Sequence, residues 1–354
     1  MAKKNNFAVS VIVAMYNAEK YIGECLTSLA NQTFKDFEVI VVDDCSTDNS
    51  IEAVKNFFAD FGDRLKLAKL SKNSGNAGTP RNFALKAARG KYIYFLDSDD
   101  FLTTTALEEL YNVAENFNAD VVHGDKCLSF FDGEDKLNAE LMINQTGAFV
   151  TEPTLETFDI GERVTGFVQK KFFWWACNKL FRRQMLVDNK ITFPPTTTFE
   201  DFVFAFKSLV AAKNYVRVPF VSYYYRLREN SLSKKKVTSG ENFMGNIIIN
   251  VSELNNFMSD RKFFRDNPIY TYSVIDFFMK YQLEQFTEKI FLSTDYDVGT
   301  VYDFLTRKIF SVNPKENVAL TSYLFVATNI LSIYTNQQAA EIDALKRQLA
   351  ALKK

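Results

Sequence analysis

The stretch KYIYFLDSDDF, residues 91–101, runs from an apolar segment straight into Asp97, Asp99 and Asp100. Carboxylates gathered at the end of a buried strand are costly unless something cationic shares the site. Hard divalent cations such as Mg²⁺ or Mn²⁺ take oxygen ligands and favour one or two carboxylates together with substrate phosphates. A D-x-D with Ser98 between its acids is shaped for a metal bridging a diphosphate, where Lewis acidity offsets charge on a departing group. Two further polar clusters follow apolar runs, AMYN (14–17) and DDCSTD (43–48). Tyr16 offers a face on which a nucleobase can stack, and Asp44 an acceptor for an imide N–H, with Asn17 beside them. Taken singly, a D-x-D is a weak motif, and Asp43 and Asp44 read equally well as caps of the next helix. Three clusters at three strand ends carry more weight than any one.

The elements that must position these groups alternate along the first half of the chain. FAVSVIVAM (7–15), FEVIVVDD (37–44), RLKLAKL (64–70) and YIYFL (92–96) read as strands, the second being a continuous apolar run of the kind found in covered parallel sheets. Helices are expected between them. One has Asn17 as its N-cap and Ile22, Cys25, Leu26 and Leu29 on one face; a second starts at Ser46 or Asp48, with Ile51, Val54, Phe57 and Phe61 inward. A third starts at Thr79–Pro80 and ends near Gly90. A helix over about 104–117 leads to ADVVHG, where the single histidine, His123, has a structural reading ahead of an acceptor contact. This order predicts an α/β fold, a mostly parallel, doubly wound Rossmann-like sheet with flanking helices, which binds ligands outside the carboxyl ends of its strands. Residues 167–186 read as partly helical, and TFEDFVFAFKSLVAA (198–212) as a helix with Glu200 and Asp201 in its first turn, where the macrodipole favours acids. The chain after about 240 reads as helical. Ile342, Leu345, Leu349 and Leu352 form a short coiled-coil-like seam over 336–354, read as an oligomerisation helix ahead of one packed on its own domain.

No G-x-G-x-x-G turn follows the first strand and no Walker lysine loop is present, which removes the dinucleotide and P-loop readings. What remains resembles a known family. VSVIVAMYNAEKYIGECLTSLANQTFKDFEVIVVDDCSTDNS, NSGNAGTPRNFALKAARGKYIYFLDSDDF and CNKLFRRQMLVDNKITFPPTTTFED together resemble the family 2 inverting glycosyltransferases of the GT-A fold, in order, over roughly residues 7–235. The resemblance implies that Ala14, Tyr16 and Asp44 hold the base, usually uracil, and that Asn73 and Arg81 lie near the nucleotide and phosphates. It implies that Asp97 and Asp99 form the D-x-D, with Asp99 the direct metal ligand, and that Asp201 is the general base. Glu200 beside it is read as a structural or sugar-contacting acid. YYYRLRENSLSK (223–234) resembles the loop that closes on the donor, and Arg226 is expected to steady the leaving diphosphate; a solvated basic loop is the plainer alternative. Pro80 replaces the family's frequent alanine, acceptable at a helix start. The NSG…PRN form is similar to bacterial wall teichoic acid N-acetylglucosaminyltransferases, whose C-terminal regions trimerise.

These readings imply three parts: a catalytic domain over 1–235, a helical domain over 236–335 and the oligomerisation helix over 336–354. They imply an enzyme taking a nucleotide sugar, UDP-linked, with Mn²⁺ or Mg²⁺, and a glycan, polymer or protein acceptor. A homo-oligomer through the C-terminal helix is expected. The rivals are a sugar-phosphate nucleotidyltransferase, which would need a Gly-rich loop where the chain has AMYN, and an inactive scaffold, against which Asp44, Asp99 and Asp201 stand. A haloacid-dehalogenase-like phosphatase would carry its aspartate pair after the first strand, not the fourth. With 354 residues, 47% hydrophobic and 24% charged, the chain has an ordinary globular profile. Its net charge of −1 sets up no general field for nucleic acid, and its 35 Phe and 16 Tyr read as core. Four scattered cysteines read as reduced thiols rather than a disulfide or zinc framework. No signal peptide or apolar run of roughly 18 residues is seen, so a cytoplasmic location is expected. Trp174 and Trp175 read as core or interface, with an acceptor contact or a peripheral membrane contact through KKFFWW as alternatives.

Overall fold

The computed structural model describes residues 7–134, 139–143, 149–228, 240–286 and Arg347. They fall into two compact units, one reaching to Lys235 and taking in Asp260–Tyr270, the other made of Lys236–Ser259 and the residues from Thr271. Apart from Arg347, the helix expected over 336–354 lies outside the described residues, as do positions 229–234 of the expected closing loop.

The first unit opens with β1 (Val9–Met15), α1 (Ile22–Ala30), β2 (Phe37–Asp43), α2 (Ser50–Lys55), α3 (Phe58–Phe61), β3 (Leu65–Lys69), α4 (Gly78–Ala87) and β4 (Tyr92–Asp97). Their strands pair in the order β3-β2-β1-β4, all parallel. Every residue of β2 is buried, as its continuous apolar run requires of a strand covered on both faces. Its two acids are the exceptions in type: Glu38 is satisfied by Ser10, Lys66 and Arg89, and Asp43 accepts from the Ser46 N–H at 3.1 Å. Asn17 is not the N-cap of α1. It sits five residues earlier at φ 47°, a left-handed conformation asparagine tolerates, and its amide oxygen accepts from the Thr47 N–H at 2.8 Å. The link is between strand ends.

Beyond β4 the pattern changes. β5 (Phe101–Leu102), α5 (Ala106–Asn116), β6 (Val121–Phe131), β7 (Glu140–Ile143), β8 (Thr154–Leu155) and α6 (Ile160–Val168) follow, then β9 (Lys179–Arg182), α7 (Arg183–Asp188), α8 (Glu200–Ala211) and β10 (Tyr215–Leu227). α9 (Gly240–Ser259) and most of α11 (Pro268–Phe286) are in the second, helical unit, and α10 (Lys262–Asp266) in the first. The expected mostly parallel sheet is a mixed one. β9 inserts between β4 and β6, antiparallel to both; β10 is parallel to β6; and β5, β7 and β8 join antiparallel.

β9 falls inside the stretch expected to be partly helical. That stretch is helical at its two ends, in α6 and α7, and a single side chain explains the strand between them. Asn178 turns left-handed at φ 57° and donates from its amide to the carbonyls of Gly124 and Lys126, both at 3.0 Å, while Ser222 donates to its oxygen at 2.8 Å. That fastens the start of β9 to β6 and β10. Gly124 is required, because a Cβ there would lie 2.5 Å from the Asn178 amide.

Among the described residues many phenylalanines are buried, and one group packs α8 against the sheet. Phe204 stacks on Phe193 with centroids 4.0 Å apart and meets Phe95 of β4 and Phe181 of β9 edge-on at 5.4 and 5.3 Å. His123 is fully buried in β6 with Nδ1 3.0 Å from the Tyr215 hydroxyl, and burial pushes its pKa well down. It is a core histidine. The four cysteines are free thiols, Cys25, Cys127 and Cys177 buried and Cys45 partly so. No helix among the described residues is long and apolar enough to cross a membrane.

Candidate active site

The carboxyl ends of β1, β2 and β4 open into a cleft of about 760 Å³. Ala14, Tyr16 and Asn17 line it from the end of β1, Asp44 from the end of β2, and Asn73 from the loop before α4. Arg81 of α4, then Asp97, Ser98 and Asp99 at the end of β4, complete this side. Glu200 and Asp201 enter from the first turn of α8, so Asp44, Asp99 and Asp201 share one cavity. Of the residues expected at the site, Arg226 alone does not line it.

Each side chain is held by identifiable contacts. Asp44 is 3% exposed and accepts from both the backbone N–H (2.9 Å) and the hydroxyl (2.9 Å) of Ser74. Its remaining lone pairs leave room for an imide N–H. Asn73 accepts from the Gly75 N–H at 2.6 Å, tightening the same loop. Tyr16 is 48% exposed, a free ring at the rim. The Asn82 side chain exchanges hydrogen bonds with the backbone of Phe193 at 2.8 and 3.0 Å, tying α4 to the segment before α8.

The cations sharing the carboxylate cluster are, in the first place, arginines. Arg81 donates to Asp97 and to Asp201, each at 2.6 Å, and its guanidinium lies over the Phe193 ring. Burial works against its charge, but Asp201 and Asp97 outweigh that and raise its pKa well above the usual value. Arg228 pairs with Asp99. Asp100 is not part of the cleft: it is 1% exposed and accepts from the Tyr223 hydroxyl at 2.5 Å and the Arg226 N–H at 2.8 Å, joining the end of β4 to β10.

Burial pushes the Asp99 carboxyl up, the Asp97 charge adds to this, and Arg228 opposes it. Asp201 is likewise raised by burial, with Arg81 opposing. Glu200 is pushed up to about 7 by burial and then by the charge of Asp201. Phe199, immediately before this pair, is left-handed at φ 63°, a conformation costing an aromatic residue about 1 kcal/mol or more. Glu200 and Asp201 follow it in the first turn of α8, and both line the cleft.

Arg226 departs from expectation for a physical reason. It is 7% exposed, paired with Glu24 and with Asp132 (3.2 Å), and donates to the Asp99 carbonyl at 2.9 Å. It buttresses the strand ends from behind, and the arginine that faces the cleft is Arg228. Spacing alone could not separate two arginines two residues apart. Tyr225 also lines the cleft and was not expected there; it stacks at 5.6 Å on Trp175, which stacks at 4.8 Å on Phe173. Trp174 lies against Phe202 of α8.

A family model for glycosyl transferase family 2 matches residues 10–188, ending before α8. A poly(ribitol-phosphate) β-glucosyltransferase of Bacillus spizizenii is 32% identical over 241 residues, 67% of this chain and 35% of that protein. The Staphylococcus aureus poly(ribitol-phosphate) β-N-acetylglucosaminyltransferase TarP is 30% identical over 243 residues, 66% of this chain and 68% of that one. The chain thus spans little more than a third of the first of these relatives. Among solved structures, S. aureus TarS 1-349 in complex with UDP-GlcNAc superposes with a TM-score of 0.65 at 26% identity, covering 93% of this chain and 92% of that one. Strand ends, cleft and matched residues agree: this chain belongs to glycosyl transferase family 2 and has its GT-A fold.

Proposed function

We propose that this chain is an inverting glycosyltransferase that moves a sugar from a UDP-sugar to a hydroxyl of a poly(ribitol-phosphate)-type polymer. The observation that carries the reading is the meeting of Asp44, Asp99 and Asp201 in one cleft from β2, β4 and α8. In support, the named relatives act on poly(ribitol-phosphate), one as a β-glucosyltransferase and the other as a β-N-acetylglucosaminyltransferase, so glucose and N-acetylglucosamine are the sugars to try first. Tyr16 stacks on the uracil, Asp44 accepts its imide N–H, and Ala14, Asn17 and Asn73 enclose the nucleoside. Asp97 and Ser98 face the donor.

Among the described residues no cluster of three or more Asp, Glu, His or Cys side chains is arranged to hold a metal unaided. The donor set fits a hard cation that takes most of its oxygens from a diphosphate and water, with Asp99, 18% exposed at the cleft, as the protein ligand. Such a Mn²⁺ or Mg²⁺ ion would supply Lewis-acid stabilisation of the leaving diphosphate. Arg228, already at that carboxylate, adds positive charge on the same side. Asp201 takes the proton of the acceptor hydroxyl, which attacks the anomeric carbon from the face opposite the diphosphate and inverts it.

The test is UDP release from UDP-glucose and UDP-N-acetylglucosamine with Mn²⁺, with and without poly(ribitol phosphate). Acceptor-stimulated release from one of them is expected, and no release from any nucleotide sugar would overturn the reading.

A further inference from the structure

Asp201 and Asp97 come from elements about a hundred residues apart in sequence, yet one side chain holds both. The two terminal nitrogens of Arg81 are divided between them, Nη1 on Asp201 and Nη2 on Asp97, each at 2.6 Å. The guanidinium is 4% exposed, with its face against Phe193 at 5.1 Å. Its neighbours hold it in turn, since Asn82 fastens α4 to the backbone of Phe193 on both sides of that residue's peptide.

The groups facing Asp201 from each packed element leave Arg81 as its charged hydrogen-bond partner. β4 presents Asp97, α8 presents Glu200, and the segment before β9 presents the Ala176 N–H at 3.3 Å and the Cys177 thiol. Lys179 of β9 acts on Asp201 only through space, its amine donating to the Trp175 carbonyl at 2.5 Å. A guanidinium is a rigid fork that fixes two carboxylates at one spacing, whereas an ammonium cannot. Released from the fork, Asp97 and Asp201 would face each other, and Glu200, without a shared counter-charge.

We propose that Arg81 is the positioning residue of the transfer site, a buried fork that sets the base Asp201 at a fixed distance from the donor-side Asp97. The resemblance to the family places this arginine near the phosphates; the geometry commits both ends of its fork to carboxylates instead. The inference rests on the proposed reading of Asp201 as base. It predicts that Arg81 controls turnover and not nucleotide affinity.

The experiment compares Arg81→Lys, Arg81→Ala and Asp201→Asn with the parent chain, measuring kcat with a turned-over UDP-sugar and the Kd of UDP by calorimetry. For Arg81→Lys, kcat falls on the order of a hundredfold, as for a reacting group displaced by about an ångström. UDP Kd stays within about threefold, and added guanidinium ion restores part of the kcat of Arg81→Ala. A UDP Kd that weakens as much as kcat falls would make Arg81 a phosphate ligand and overturn the proposal. So would parent-like turnover of Arg81→Lys, which decides the matter even if the alanine variant does not fold. Asp201→Asn separates the two levels: if it still transfers sugar, the base assignment itself is wrong. If it is inactive while Arg81→Lys turns over normally, only the positioning role is lost.

Discussion

The two halves of the sheet build their shares of the cleft differently. On the β3-β2-β1-β4 side the strands are parallel, and cleft residues follow directly where β1, β2 and β4 end. A parallel strand buried on both faces must end where its apolar run ends, so the first polar residues beyond it face the crevice. On the β9-β6-β10 side the acids and arginines arrive by indirect routes. Asp201 depends on α8 packing through Phe204, and Arg228 on β10 being held beside β6 by the buried pair of Arg217 with Asp125 (2.7 Å). Nucleotide-side residues are thus placed locally, and chemistry-side residues by contacts between distant segments.

The strongest way to break that division is to compare one acid from each side. Asp201→Asn is expected to lower sugar transfer about 10³-fold while UDP binding stays within about threefold. Asp44→Ala is expected to weaken UDP binding at least tenfold, the loss of roughly one hydrogen bond to a buried acceptor. Calorimetry with UDP beside a transfer assay separates them, and equal losses of binding in both variants would mean that the sides are not distinct.

Next in size is the arginine pair. Arg226→Gln removes a buried guanidinium shared by Glu24, Asp132 and the Asp99 carbonyl, although Asp132 keeps Lys20 and the Tyr21 hydroxyl, and is expected to cost about 1–3 kcal/mol of stability. Arg228→Gln takes the partner from Asp99 alone and is expected to cost less, about 1 kcal/mol or under, while lowering transfer. Urea unfolding of both variants tests this, and the reverse pattern would exchange their roles. Asn178→Ala is expected to cost roughly 1–3 kcal/mol, because it strands the Gly124 and Lys126 carbonyls; a midpoint unchanged in urea would mean that β9 is anchored elsewhere.

The smallest effect is a pH slope. Glu200 is raised to about 7 from an ordinary 4.5, so between these values the folded chain keeps a proton that the unfolded chain has lost. Stability from this group is therefore present at low pH and declines as pH rises toward 7. Glu200→Gln removes the decline, so its melting temperature should gain on the parent at pH 8 relative to pH 5. An equal difference at both pH values would show that Glu200 ionises normally.

The legible part of the site follows the same division. Asp44, Asp97 and Asp99 could be read because their strands are continuous apolar runs and the acids stand at their ends. Asp201 was reached through its resemblance to a family motif and its place in a helix's first turn. β9 was hidden because its four residues carry no period long enough to tell strand from helix, and the Asn178 anchor that makes them a strand binds residues more than fifty positions away. Arg226 and Arg228 share a residue type and a neighbourhood in sequence, and only packing against Glu24 and Asp132 separates them. By itself the sequence determined the first four strands, their order along the chain and the carboxylates at their tips, because burial pattern is a local property of the chain. Tertiary structure alone decided the mixed half of the sheet, the choice of arginine at the cleft and the Arg81 fork. Those depend on charges and amides from distant segments finding one another, and no local pattern encodes such a distance.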